Sequence, residues 1–522
     1  MWAVLLVPIL LAFKAPVALA YIVIAYNLFW LMKSTRMSYA LLRGFSRMKQ
    51  AEQVDWSAKL DDLEDLNATA LRLKQKLNTL KRNPASRRYR QALSELREIE
   101  ALLPQQQVLL KPSQIYQVAM FALYNESIDV IRPSVEAVLT SDYDPKHVIV
   151  VIAYEARGGE VAQAVIDELT REYQDKFHHF MTVKHPDGLP GEVKGKGGNI
   201  TWAGRELLKY VEVEQIPLID VIITTLDSDN RPGKHYFSYL TYQYCIDPNR
   251  RHKSYQPIPM YLNNIWDVPA PTRVVATSNS FFMVMEANRP HRLRNFSSHA
   301  QSLQTLVDTD FWSVKTIVED GHQFWRTYFV YDGDHSVSPL YVPIYQDAVL
   351  SNSFWKTMKG QFYQMRRWAY GVSDFPFIVQ NFVKNKKIKP SEKIIETWRH
   401  FEGHFSWATA PLLLTVVAWL PLYLNHTFSN HVLAHELPVY VSWIETFATI
   451  GIFVMVWSSL RCLPKRPARY RRSKYIILLL QWFLAPVVAV IFGSFASINA
   501  QTRLLLGKRL DVFNVTEKVV KK

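Results

Sequence analysis

The chain reads as an α/β domain set between apolar helices that cross a membrane, on three observations. Four short apolar runs (Val118–Leu123, Val148–Ala153, Phe180–Val183 and Ile219–Leu226) alternate with helical patterns near Ile128–Leu139, Glu160–Tyr173 and Ile200–Tyr210. Such alternation predicts βαβ units and a parallel sheet. The fourth run is rich in β-branched residues and stops at Asp227, with Asp229 two positions on. That pattern suits a strand buried on both faces that delivers polar groups at its carboxyl end. The longest apolar runs gather at the two ends of the chain, and a spanning helix needs about 20 residues.

At 522 residues the chain has room for two or three domains. A net charge of +15 fits nucleic acid, an anionic membrane surface or phosphorylated ligands. Much of the excess lies beside apolar segments, which selects the membrane and not nucleic acid. The two cysteines, Cys245 and Cys462, make neither a metal spacing nor a disulfide framework and suit a reducing compartment.

In chain order, residues 1–32 are almost wholly apolar, broken only by Lys14 and Pro16. Ala18-Leu19-Ala20 looks like a signal-peptidase site, but no basic segment precedes it and the apolar run continues, so a retained anchor is expected. Lys33, Arg36, Arg43, Arg47 and Lys49 follow it, which puts the N-terminus outside and the next segment in the cytosol. Residues 48–104 carry a leucine seam (Leu60, Leu63, Leu66, Ala70, Leu73, Leu77, Leu80), a break at Asn83-Pro84 and a second stripe from Leu93 to Leu103. This predicts a cytosolic helical hairpin closed on its own seam, with self-association as the alternative. The α/β domain occupies residues 113–345. Residues 352–402 interleave aromatic and basic side chains, as helices lying in a membrane interface do. Residues 405–500 hold spans near Phe405–Leu424 and Pro438–Leu460, joined by a connector without Lys or Arg that is therefore external. The last apolar run, Tyr475–Ala500, has Pro486 in its middle and basic residues after it. A kinked or re-entrant course that returns residues 501–522 to the cytosol is expected.

Asp227 and Asp229 repel each other unless something positive lies between them. A hard divalent ion takes oxygen ligands from one or two carboxylates plus phosphates; the plain alternative is a polar strand end. Val318-Glu319-Asp320-Gly321-His322 offers in Asp320 a carboxylate able to act as general base, or else only an acidic turn. In Gln364-Met365-Arg366-Arg367-Trp368, Arg367 supplies a fork for phosphate oxygens and Trp368 a flat face for a sugar ring. Lys194-Gly195-Lys196-Gly197-Gly198-Asn199 combines glycines that admit an anion with a lysine that neutralises it, without the spacing of a P-loop. His426, His431 and His435 sit in the external connector with only loose metal-like spacing.

An α/β domain with D-x-D, then E-D, then Q-x-x-R-W, followed by spanning helices, resembles the membrane-embedded family-2 glycosyltransferases, the group of cellulose, chitin and hyaluronan synthases. The resemblance covers residues 113–522 and implies a GT-A-type, Rossmann-like catalytic domain with the helical hairpin as an insertion. It assigns Asp227 to the nucleotide-sugar, Asp229 to Mg²⁺ or Mn²⁺, and Asp320 to deprotonation of the acceptor hydroxyl. Gln364, Arg367 and Trp368 would form the floor of the acceptor site, with Arg367 at the diphosphate, and Lys196 would lie near the nucleotide. Phe513, Val515, Thr516 and Lys518 match the F-x-V-T-x-K gating loop of cellulose synthases, and Asn125-Glu126 the usual opening after the first strand. Glu155 stands where the family has a base-binding Asp, so uridine is an inference, and Thr201 stands where Asn is usual. The implied activity is inverting transfer from a UDP-sugar to a growing β-linked polysaccharide, with export, at the cytosolic face of the plasma (inner) membrane. The alternative is one transfer to a membrane lipid.

Overall fold

A computed structural model describes residues 1–510. Its first helices are α1 (Trp2–Lys14) and α2 (Pro16–Glu52). Ala15 leaves the helical region at φ −147°, and Pro16 opens α2 where a missing N–H is harmless. Residues 1–32 are thus two helices, not one anchor. Asn425 Nδ2 donates to the Ala12 and Phe13 carbonyls, while Trp2 Nε1 donates to Thr502 Oγ1. The α1 helix therefore doubles back along α2.

Asp55, Asp65 and Ser86 cap α3 (Trp56–Glu64), α4 (Leu66–Leu80) and α5 (Arg87–Leu102), each accepting a first-turn N–H. The Asp65 cap splits what the leucine stripe alone reads as one helix. The hairpin is not solvated on all sides: Trp56, Leu60 and Leu73 join the core beneath the sheet. Trp56 stacks on Tyr239 with ring centroids 4.1 Å apart.

The expected alternation follows as β1 (Tyr116–Leu123), α6 (Ile128–Leu139), β2 (Val148–Glu155), α7 (Gly159–Tyr173), β3 (His179–His185), α8 (Lys196–Val213) and β4 (Val221–Asp227). The β4 strand starts at Val221, not Ile219, because Leu218–Asp220 form a 3₁₀ turn after Pro217. These strands are parallel in the order β3-β2-β1-β4. Beyond them the all-parallel expectation fails. The strands β5 (Arg231–Pro232), β6 (Lys253–Met260), β7 (Ala300–Ser302) and β8 (Ser336–Tyr345) extend the sheet to eight, with β7 antiparallel to β4 and β6, and β5 antiparallel to β8. Pro257, Pro259, Pro339 and Pro343 lie inside β6 and β8. Proline argues against a strand in sequence, and here a register shift between Gln256 and Ile258 accommodates it. The helices α9 (Tyr236–Ile246), α10 (Ala270–Ala287), α11 (Leu303–Asp308) and α12 (Glu319–Val330) complete the α/β domain.

On the apolar side lie α13 (Phe354–Ala369), α14 (Asp374–Lys384) and α15 (Pro390–Val416). The α15 helix runs unbroken through residues 402–405, where interface and first span were expected to part. It ends at Val416, and a 3₁₀ turn, α16 (Leu420–Leu424) and α17 (His426–Ser429) lead into α18 (Val432–Cys462). The last helical run is α19 (Lys474–Leu505). Three helices among the described residues are long and apolar enough to cross a membrane: α2, α18 and α19.

The α2 and α18 helices pack together through Leu19, Val23, Leu437 and Val441. The α19 helix behaves differently. It continues across Pro486 and includes a π-helical stretch, Ala489–Phe495, rather than folding back. Just before it, Arg469 Nη2 bonds Asp267 at 2.8 Å, and in its first turn Tyr475 meets Trp266 edge-on at 5.4 Å. At its far end Gln501 Nε2 donates to the His404 carbonyl at 3.0 Å, and Leu510 N–H to Tyr370 Oη at 3.2 Å. In between, Arg273 of α10 donates to Gln481 at 3.0 Å. Both ends thus rest on the α/β domain and its flanking helices, with Phe483, Val487 and Ile491 exposed on the outer face. A membrane-impermeant maleimide is expected to label cysteines placed at Arg472 and Lys508 from the same side of sealed vesicles. Labelling from opposite sides would mean that α19 crosses.

Candidate active site

The site forms at the carboxyl ends of β1, β2 and β4, where open α/β sheets place ligands. Asp227 closes β4 and the chain turns at once. Asn230 N–H donates to the Asp227 carbonyl at 2.9 Å and the Asn230 side chain accepts the Asp227 N–H at 3.1 Å. Lys196 Nζ lies 2.8 Å from Asp227 Oδ1, and Ser297 Oγ donates to Oδ2 at 3.1 Å. Asp229 is buried and accepts the Asp347 N–H at 2.8 Å.

Lys196 opens α8. Burial works against its charge, but Asp227, Glu319 and Asp320 outweigh it and hold the amine above its ordinary value. The neighbouring glycines do something other than admit an anion. A Cβ on Gly197 would stand 2.4 Å from the Ser313 carbonyl, and one on Gly198 would stand 2.8 Å from the Glu192 carboxylate. They let the first turn of α8 close on protein, which sets Lys196 beside Asp227. Gly197→Ala is expected to push that turn away, costing about 1–3 kcal/mol as overpacking does, and to weaken nucleotide binding. Thermal unfolding and a nucleotide titration check both.

Asp320 sits in the first turn of α12, and its Oδ1 accepts the Gly321 N–H at 2.8 Å. Burial lifts its carboxyl above the usual range, against the pull of Gly321 N–H and Lys196. Burial and the charge of Asp320 push Glu319 up to about 7. The same helix is tied to α14, because His322 Nδ1 donates to Asp374 Oδ1 at 2.8 Å.

Ser353 caps α13, which carries Gln364, Arg367 and Trp368 three and four residues apart and hence on one face. Gln361 Nε2 donates to Gln364 Oε1 at 3.1 Å, and the Trp368 ring centroid is 6.1 Å from that of Tyr261. Burial lowers Arg367 from the ordinary arginine value, while Asp227, Glu319 and Asp320 favour its charge. The Tyr261 hydroxyl registers the convergence. Burial and then Asp227, Asp229 and Asp320 push it up, and Arg367 opposes them.

One cavity of about 650 Å³ collects the expected residues: Asp227, Asp229, Asp320, Lys196 and Arg367 line it, and so do Gln364, Trp368 and Glu155. Phe513, Val515, Thr516 and Lys518 lie outside the described residues. Glu155 ends β2 already paired, its Oε1 2.8 Å from Arg157 Nη2. The Arg157 guanidinium lies 4.4 Å from the Tyr124 ring centroid. Tyr124 and Arg157 line the cavity together with Glu155. Sequence reasoning missed Tyr124, Arg157, Tyr261 and Ser297, which belong to no motif. It named Asn199 in the lysine-glycine loop but gave it no role; its Nδ2 donates to the Ala153 carbonyl at 2.9 Å while its buried Oδ1 has no partner.

Among the described residues no group of three or more His, Cys, Asp and Glu could hold a metal by itself. The donor set at Asp227 and Asp229 instead suits Mg²⁺ or Mn²⁺ held jointly with substrate phosphates, since both supply hard carboxylate oxygens.

No family model and no curated protein matches the chain. Among solved structures it is similar to the mannosyltransferase PcManGT from Pyrobaculum calidifontis in complex with GDP-Man and Mn2+, at 12% identity over 76% of this chain and 89% of that one, TM-score 0.41. It is also similar to residues 1–349 of S. aureus TarS in complex with UDP-GlcNAc, at 14% identity over 76% and 93%, TM-score 0.36. Identities this low leave the chemistry of the site to its own residues.

Proposed function

We propose that the protein is an inverting glycosyltransferase that moves a sugar from a nucleotide-sugar, a UDP-sugar by resemblance, to an acceptor at the cytosolic face of a membrane. The observation that carries this reading is the shared cavity of Asp227, Asp229, Asp320, Arg367 and Trp368. Lys196 and Asp227 orient the donor, and Tyr124 with Arg157 offers a stacking surface for its base. Asp320 takes the proton of the incoming hydroxyl. Arg367 stabilises the charge that develops on the departing diphosphate, and Trp368 supports the acceptor ring. Displacement on one face inverts the anomeric centre, so an α-linked donor leaves a β-linked product. Basic residues after the apolar half of α2 and after α18 favour a cytosolic catalytic domain.

The acceptor read from the sequence is a growing polysaccharide. A lipid acceptor is a second reading, favoured by a cavity that extends to α10 and α15 near the end of the apolar half of α2. The test is incubation of membranes with radiolabelled UDP-glucose, UDP-N-acetylglucosamine and GDP-mannose, with and without Mg²⁺ or Mn²⁺, followed by sizing of the product. Labelled glycan or glycolipid supports glycosyl transfer, and turnover of none of the donors would overturn it.

A further inference from the structure

The cavity has a second end that the proposed chemistry leaves unused. There it is lined by Phe282 on α10, by Arg292 and Asn295 in the segment that follows, and by Arg399 and His400 on α15. Asn295 is 1% exposed, and neither its Nδ2 nor its Oδ1 has a hydrogen-bond partner. His400 Nε2 and His404 Nδ1 are buried without partners as well. Buried polar atoms are nearly always satisfied, so a wall with several left open is shaped for a polar guest.

The charge there is unbalanced. Lys33, Arg289, Arg292, Arg294 and Arg399 gather against Glu286, Glu396 and Glu402. Lys33 holds Glu402 at 2.8 Å, which leaves Arg292 at 3.5 Å from the same carboxylate. Among these eight side chains the cations outnumber the carboxylates by two, and Asp374, which also lines the cavity, is held by His322. The depth is also marked. Lys33 is the first charged residue after the apolar half of α2, and its ammonium lies 4.4 Å from the Trp30 ring centroid. Lysine and tryptophan at such a boundary sit at headgroup level. Phe282, 39% exposed, stands beside the opening.

We infer that this end of the cavity takes the headgroup of an anionic phospholipid. The phosphate lies toward Arg292 and Arg399, the headgroup hydroxyls toward Asn295, and the acyl chains pass Phe282 into the leaflet. The binding claim stands on these residues alone, and the next step rests on the proposed function. A headgroup hydroxyl oxygen bonds to the anomeric carbon and its proton passes to Asp320. The bond from that carbon to the diphosphate oxygen breaks, and the nucleoside diphosphate leaves.

The test uses the full chain in phosphatidylcholine vesicles with and without phosphatidylglycerol, carrying a p-benzoylphenylalanine crosslinker in place of Phe282 or, in a second variant, Met283. Illumination is expected to yield phosphatidylglycerol adducts well above that lipid's share of the vesicle. Arg292→Gln is expected to lower that yield about tenfold, as loss of a charge-assisted contact does. Nucleotide-sugar supplied to the same vesicles is expected to label phosphatidylglycerol. No adduct at either position, or adducts in proportion to lipid content, would overturn the inference even if a nucleotide-sugar is turned over. A clear phosphatidylglycerol adduct without turnover of any donor would support the lipid site and overturn the proposed function. Label entering only a polymer would overturn the acceptor step.

Discussion

Replacing Asp320 by asparagine is expected to cut sugar transfer by about 10²- to 10⁴-fold, the range general base catalysis supplies. The side chain keeps its shape, and its amide oxygen can still accept the Gly321 N–H, so what is lost is the ability to take a proton. The wild-type rate should fall as pH drops, because the base works only when ionised. Burial raises the Asp320 pKa, so the fall begins above the usual carboxylate range. Glu319, lifted to about 7, titrates with it, and the limb belongs to the pair. Initial rates across the acid range should show this limb in the wild type. Glu319→Gln takes the group at about 7 out of the pair and should leave a single limb set by Asp320 alone. If Asp320→Asn transfers sugar at the wild-type rate, Asp320 is not the base.

Arg367→Ala is expected to reduce turnover by about 10²- to 10³-fold, the loss typical of a donor aimed at developing charge. Arg367 faces Asp227, Glu319 and Asp320, so its removal also leaves buried carboxylates less compensated, and some loss of stability should accompany it. Arg367→Lys separates the two effects. It restores charge but not the planar fork, so stability should recover more than rate. Thermal unfolding beside steady-state rates reads both. A full recovery of rate by lysine would mean that bidentate geometry is irrelevant.

Much of this was legible in the residue order. The β1, β2, β3 and β4 strands and their helices announce themselves because each buries a continuous or periodic apolar surface, and that is a local property. The carboxylates of Asp227 and Asp229 were legible because a polar pair ending an apolar run has no reason to be there in a plain core strand. The antiparallel half of the sheet was not. The β7 strand has only three residues, and β6 and β8 carry prolines that their neighbours tolerate. Asp320 was found by residue type, but the helix that carries it was not, since an irregular segment and a helix start differ by hydrogen bonds rather than by composition. Tyr124, Arg157 and Tyr261 had no signal, because their role lies in which side chains they meet.

By itself, then, the sequence determined that an α/β domain lies between apolar helices, and that acidic and arginine-tryptophan groups stand at certain element ends. Hydrophobic period, capping and punctuation are properties of neighbouring residues. Only the tertiary structure decided that Asp229, Asp320 and Trp368 share one cavity, that the glycines beside Lys196 serve packing, and that α19 rests along the α/β domain. Those depend on contacts between residues tens to hundreds of positions apart, where the burial of one surface is set by the shape of another.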